Sequence, residues 1–430
     1  MATMSLISTE QPNERAFLVG VIHPFQDLAE VEENLDELAQ LTLTAGAEVI
    51  GTMIQNRPTI DSSFYIGKGK ADELAAKVDL LKINIVIFDD ELTPAQIKNL
   101  QKLMKETKII DRGFLILDIF ARHARTREAK TQVDLAHWEY LLPRLTRHWT
   151  HLERQKGGIG TRGGPGETQI EIDRRLIKYR ISGLKKDLLK IEKQRETRRK
   201  NRQDVYKVAL VGYTNAGKSS LMNLFTDAQV LVEDKLFATL DTTVRTIDLE
   251  GFQLLISDTV GFIRKLPHDL IASFKSTLQE VSEADLILKI VDLSNPSYEK
   301  HLETVNSVLH EIGVTERHAL TVFNKIDLIQ DQEIFTEALR QHPGAIAVSV
   351  LREINVAKLE AAILDAVRSE HTTREFLLAY DQQKLLAHFH NVLDVLDIQY
   401  LEEGIQVKVK GRRAVLEDIE KQFPPKSSQS

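Results

Sequence analysis

The 430 residues suffice for about three domains, and 42% hydrophobic against 28% charged residues excludes a disordered or collagen-like chain. No run approaches ~20 apolar residues and the first residues lack the parts of a signal peptide, so neither a membrane span nor export is expected. The absence of cysteine excludes disulfides and thiolate metal sites and predicts a cytoplasmic protein, while the net charge of −7 hides a strongly basic segment.

Residues 17–22 read as a strand, and Leu28, Val31, Leu35, Leu38 and Leu41 follow at helical spacing. Residues 47–51 return to a strand, 72–82 to a helix, 83–89 to a β-branched strand, 93–104 to a helix and 108–111 to a last strand. This alternation predicts a small parallel sheet with covering helices over 1–127. Gly67, Lys68, Gly69 and Lys70 suggest a second nucleotide site, although a simple turn also explains them.

Leu135, Trp138, Leu142, Leu145, Trp149 and Leu152 then fall three and four apart, and Ile177, Ile181, Leu184, Leu188 and Ile191 repeat the spacing. Two such stretches around a break predict an antiparallel helical hairpin over 128–204, kinked at Pro143. Residues 121–202 carry 22 basic and 10 acidic residues, which suits either a docking surface for polyanions or a solvated helix pair. The break at 157–166 holds six glycines in ten residues, more than a helix turn needs. It reads as a hinge or as a tip whose backbone approaches a ligand closely. In the second case Gly157, Gly158 and Gly164 allow the approach, and Arg154, Lys156, Arg162, Arg174 and Arg175 supply charge.

Residues 205–212 are a buried-strand run leading into Gly212, Tyr213, Thr214, Asn215, Ala216, Gly217, Lys218 and Ser219, and Ser220 continues into a helix. A glycine-rich loop between strand and helix is the phosphate-loop pattern. Its backbone N–H groups and the helix N-terminus face the phosphates, Lys218 reaches the β- and γ-phosphates, and Ser219 ligates Mg²⁺. Downstream, Asp258, Thr259, Val260 and Gly261 end an apolar strand, the carboxylate holding Mg²⁺ through water and the Gly261 N–H meeting the γ-phosphate. Asn324, Lys325, Ile326 and Asp327 end another. Asp327 can accept from guanine N1–H and the exocyclic amine, neither of which adenine offers, while Asn324 and Lys325 brace the loop and cover the base. Ser349, Val350 and Leu351 lie at a third strand end, where a backbone N–H meets guanine O6. In this order the motifs specify a Ras-like P-loop domain over 205–373 that takes GTP and GDP with Mg²⁺.

Lys207 to Ser349 resembles the translation-factor-related GTPases. With 155–169, 66–71 and the run Phe237, Ala238, Thr239, Leu240, Asp241, the chain resembles the HflX GTPase family from residue 17 to about 370. The resemblance implies a GTPase that binds the large ribosomal subunit and its rRNA and splits or recycles stalled or idle ribosomes under stress, the hairpin tip entering the peptidyl-transferase region. It also implies Thr239 as the switch-I Mg²⁺ ligand, with Thr242 and Thr243 as rivals by chemistry alone. Thr242 departs from a common proline, and Ser349-Val350 from Ser-Ala. A ribosome assembly factor or a GTP-gated RNA-binding module would share these features. The expected protein is a monomer with no DNA partner.

Lys218, Thr239, Gly261 and Asn215 are the catalytic candidates. Phe262 stands where many signalling GTPases place a water-orienting glutamine, so completion of the site from outside is expected. Asn215 matches an asparagine that helps coordinate K⁺ in potassium-stimulated relatives, and equally suits a loop-stabilising role. Residues 374–423 predict a small α+β domain: a helix over 377–392, a hairpin over 398–410 around Glu403 and Gly404, and a helix over 414–423, before a disordered tail at 424–430. The whole is an α/β multidomain chain.

Overall fold

The computed structural model describes residues 14–24, 26–145, 169–199, 205–226, 236–237, 243–265, 280–314, 319–380 and 383–422. The N-terminal alternation forms β1 (Glu14–Ile22), α1 (Leu28–Thr44), β2 (Ala47–Asn56), α2 (Lys68–Leu81), β3 (Ile85–Phe88), α3 (Pro94–Leu103) and β4 (Lys108–Asp111). The parallel sheet runs β2-β1-β3-β4. Helices on both faces bury the strands completely where they are central, as in β3, so such strands read as unbroken apolar runs. Thr93 and Gln96 close α3 with reciprocal capping bonds, with Pro94 in its first turn. The 67–70 segment is the start of α2: Gly67 is its N-cap, and its amide donates to Gln55 Oε1 at 2.9 Å.

Next comes α4 (Arg112–His123), with eight of its residues buried and Asp118 and Arg122 on its exposed side. In α5 (Arg127–Arg144) and α6 (Gln169–Arg199) the spaced apolar residues meet as expected: Leu135, Ile177 and Ile181 are buried, flanked by Trp138, Leu142, Leu184 and Leu188. A Lys185–Glu139 ion pair at 2.8 Å and the Arg180 guanidinium 4.9 Å from the Trp138 ring line the seam. Pro143 lies in the final turn of α5, which stops at Arg144, so the proline marks an end where a kink was expected. Its missing N–H weakens the ladder there. Trp149, Leu152 and the glycine-rich tip lie outside the described residues.

The third unit contains β5 (Tyr206–Gly212), α7 (Lys218–Thr226), β6 (Thr243–Leu249), β7 (Phe252–Asp258), β8 (Leu286–Asp292), α8 (Tyr298–Glu311), β9 (Ala319–Asn324), α9 (Gln332–Gln341), β10 (Ile346–Ala347) and α10 (Val356–Glu370). Its sheet runs β10-β9-β8-β5-β7-β6, with only β6 antiparallel. Because β5, β7, β9 and β10 are parallel, the four motif segments that follow them gather at one edge of the sheet, where open α/β sheets bind ligands.

The C-terminal unit is β11 (His371–Leu378), α11 (Gln383–Val392), β12 (Asp394–Leu401), β13 (Gly404–Arg412) and α12 (Arg413–Gln422), with antiparallel order β11-β13-β12. The hairpin and last helix match expectation. The helix expected from residue 377 begins at Gln383, because 371–378 is a strand whose inward positions become apolar only at Phe376 and Leu378. Arg412 fastens this unit to the third by bonds to the Val205 carbonyl at 3.3 Å and to the Asp285 carboxylate.

Candidate nucleotide site

Steric limits explain the glycines of the 212–219 loop. A Cβ on Gly212 would lie 2.2 Å from the Ile290 carbonyl oxygen, and one on Gly217, at φ +96°, 2.2 Å from Asn324 Nδ2. That close approach lets Asn324 Nδ2 donate to the Ala216 carbonyl at 2.9 Å, while its Oδ1 accepts from the Val350 amide at 3.1 Å. One buried side chain therefore joins the phosphate loop to the loop at 349–351.

Lys218 is buried and donates to the carbonyls of Gly212 at 3.1 Å and Tyr213 at 2.8 Å. Burial draws its pKa down to about 8, against the opposing pull of Asp258. Ser219 Oγ donates to Asp258 Oδ2 at 2.6 Å, so two hard oxygen donors of the kind Mg²⁺ prefers stand together. Asn215 has φ +61°, a left-handed conformation that asparagine tolerates better than most residues, which by itself accounts for the residue type. Thr259 Oγ1 donates to the Leu210 carbonyl at 2.7 Å. Ser220 lies in the first turn of α7.

Around the expected base site, Lys325 also has positive φ and its ammonium pairs with Asp292 at 2.8 Å. Ile326, Asp327 and Leu328 form a 3₁₀ turn, leaving Asp327 half-buried. Ser349 is buried; its amide donates to the Ile354 carbonyl at 3.1 Å and its hydroxyl accepts from the Arg352 amide at 3.2 Å. Leu351 is 82% exposed. Phe237 is buried with φ +58°, unusual for a bulky residue, and packs edge-on against Phe120 at 4.6 Å. Ala238, Thr239, Leu240 and Asp241 lie outside the described residues, as do Arg154, Lys156, Gly157, Gly158, Arg162 and Gly164. Arg174 and Arg175 are exposed on α6.

The phosphate loop is also built into the N-terminal domain, through residues that local patterns do not mark. Phe262 N–H donates to the Gly212 carbonyl at 3.0 Å, and Thr214 N–H to the Phe262 carbonyl at 2.8 Å. Tyr213 donates its hydroxyl hydrogen to the Glu37 carboxylate, accepts from the Arg264 amide at 2.8 Å, and stacks on His301. Arg264 pairs with Glu33 at 2.8 Å, and Lys265 with Asp89 and, at 2.6 Å, with Asp90. Burial acts to raise the pKa of Glu33, but Arg264, Ser297 and Lys300 hold it at about 2. Buried Arg112 binds Glu37 and Asp89, the latter at 2.8 Å. The signal in the sequence was opposite charge: Asp89 and Asp90 end one strand, and Arg264 and Lys265 follow Phe262.

Residues 32–121 match a family model described as the N-terminal region of GTP-binding GTPases, 123–202 one described as their middle region, and 207–325 one described as a 50S ribosome-binding GTPase. The GTPase HflX of Magnetococcus marinus is 44% identical, covering 98% of this chain and 100% of its own. The chain belongs to the HflX GTPase family. The GTPase HflX of Escherichia coli is 42% identical over 90% of this chain and 91% of its own. Among solved structures, the chain is similar to a GTP-binding protein from Sulfolobus solfataricus in complex with GDP, at 24% identity, TM-score 0.43, 83% of this chain and 99% of that one. As an HflX-family member with the GTPase domain, the protein is a GTP-hydrolysing enzyme. Among the described residues, no helix is long and apolar enough to cross a membrane.

Proposed function

We propose that this HflX-family GTPase binds GTP in the 212–219 loop, engages the large ribosomal subunit and its rRNA, and splits or recycles stalled or idle ribosomes. The observation that carries the nucleotide assignment is Asn324, whose side chain bonds both the phosphate loop and the 349–351 loop. That bridge sets the base-reading and phosphate-binding segments at a fixed separation. Asp327 reads guanine, and Lys218 neutralises the β- and γ-phosphates. Ser219 and Thr239 hold Mg²⁺, with Asp258 acting through water; the ion supplies charge stabilisation on the phosphate oxygens.

The ribosome assignment is supported by the name of the matched GTPase domain and by the basic segment that includes α5 and α6. Phosphate contacts by such a segment release counterions, so binding to large subunits weakens steeply with salt. Sucrose-gradient profiles of 70S particles incubated with the protein and a non-hydrolysable GTP analogue test the reading. Loss of the 70S peak into free subunits supports splitting, and replacing residues 157–166 by a short Gly-Ser turn abolishes it. An unchanged 70S peak with binding only to immature large subunits would instead mean an assembly factor.

A further inference from the structure

We propose that the Thr214 hydroxyl orients the attacking water in GTP hydrolysis, a task Phe262 cannot perform. The proposal rests on placing the phosphates in the 212–219 loop. Thr214 is 7% exposed, and its Oγ1 is buried with no hydrogen-bond partner among the described residues. Three nearby hydroxyls are engaged: Ser219 with Asp258, Thr259 with the Leu210 carbonyl, and Ser257 with the Val208 carbonyl. A buried hydroxyl left unpaired costs free energy that the fold has no reason to retain unless another state supplies a partner.

The location indicates the partner. A Cβ placed on Gly261 would meet the Thr214 methyl Cγ2 at 2.8 Å and Lys218 Nζ at 3.1 Å, so the Thr214 β-carbon, which also carries the hydroxyl, borders the corner shared by Gly261 and the Lys218 ammonium. That is where the γ-phosphate must lie if Lys218 and the Gly261 N–H both reach it. Thr214 N–H is fixed on the Phe262 carbonyl, holding its Cα beside the segment 258–262. The Phe262 side chain leaves the corner for a core shared with Ala209, Val211 and Val281. A hydroxyl can accept from the water through a lone pair while donating to a γ-phosphate oxygen. In the reaction the water oxygen bonds to the γ-phosphorus and the bond to the bridging oxygen breaks. Its electron pair stays on GDP, and the water proton leaves on inorganic phosphate.

The test uses the full chain with Thr214→Val, which keeps shape and removes the hydroxyl, and Thr214→Ser, which keeps the hydroxyl. Single-turnover hydrolysis should slow by about 10- to 100-fold in Thr214→Val and recover most of its rate in Thr214→Ser. GDP affinity should match wild type in both, which also reports folding. A wild-type rate in Thr214→Val, or equal loss in both variants, would overturn the proposal. Lys218→Ala serves as the control for the site: undiminished GDP binding there would overturn the loop assignment and the proposal with it.

Discussion

His301 of α8 lies flat against Tyr213 of the phosphate loop, ring centroids 3.8 Å apart and planes 9° from parallel. Burial and the nearby Arg264 guanidinium draw the His301 pKa from 6.5 down to about 4, so the ring is neutral at pH 7. The stack holds the loop from one side, while the Tyr213 hydroxyl holds it to Glu37 from the other.

A pH dependence follows. Between pH 6.5 and 4 the unfolded chain protonates His301 and the folded chain does not, so stability falls as pH drops through that window. The loss approaches about 3 kcal/mol near pH 4, and none of it is felt at pH 7. Urea unfolding of wild type and His301→Phe from pH 7 to 4.5 measures it: the variant keeps an aromatic stack and should show the flatter profile. Parallel profiles would refute the assignment.

Gly217→Ala should damage both fold and binding. The new Cβ meets Asn324 Nδ2 at 2.2 Å on a backbone with φ +96°, so the bridge between the two loops must break. A cost of about 1–3 kcal/mol is expected from strain and the unpaired amide, read as a lower melting temperature and weaker GDP binding. Unchanged GDP affinity would show that the bridge does not organise the site.

Asp327→Asn should exchange base preference, losing GTP and gaining xanthosine triphosphate, whose oxygen complements the new amide. Loss of a charge-assisted pair corresponds to ~1.5–3 kcal/mol, or roughly ten- to a hundred-fold in affinity. Competition binding with the two nucleotides gives the answer, and unaltered preference for GTP would remove Asp327 from the base site.

The sequence made legible those parts whose physical cause is local. The 212–219 loop shows because the backbone needs glycine where Ile290 and Asn324 crowd it. The strands and helices of the first sheet show because burial imposes their periods. What stayed hidden depends on partners far along the chain. Helix α4 is mostly buried, with few polar positions to mark its outer side, β11 turns apolar only at its end, and the Tyr213, Glu37, Arg264 cluster joins residues up to 227 positions apart by side-chain bonds that no spacing encodes.

Single-turnover GTP hydrolysis by the full chain, with and without large ribosomal subunits and in K⁺ or Na⁺, tests the account most directly. With Phe262 in place of a water-orienting glutamine, the free protein should be slow even with Thr214 beside the water, until the large subunit completes the site. Large subunits should then stimulate it by ~10³-fold or more, the order that completion of a site from outside contributes in other GTPases. A further gain in K⁺ would assign Asn215 to an ion as well as to the loop. A fast basal rate that large subunits leave unchanged would contradict the account, because the catalytic site would then be complete within this chain.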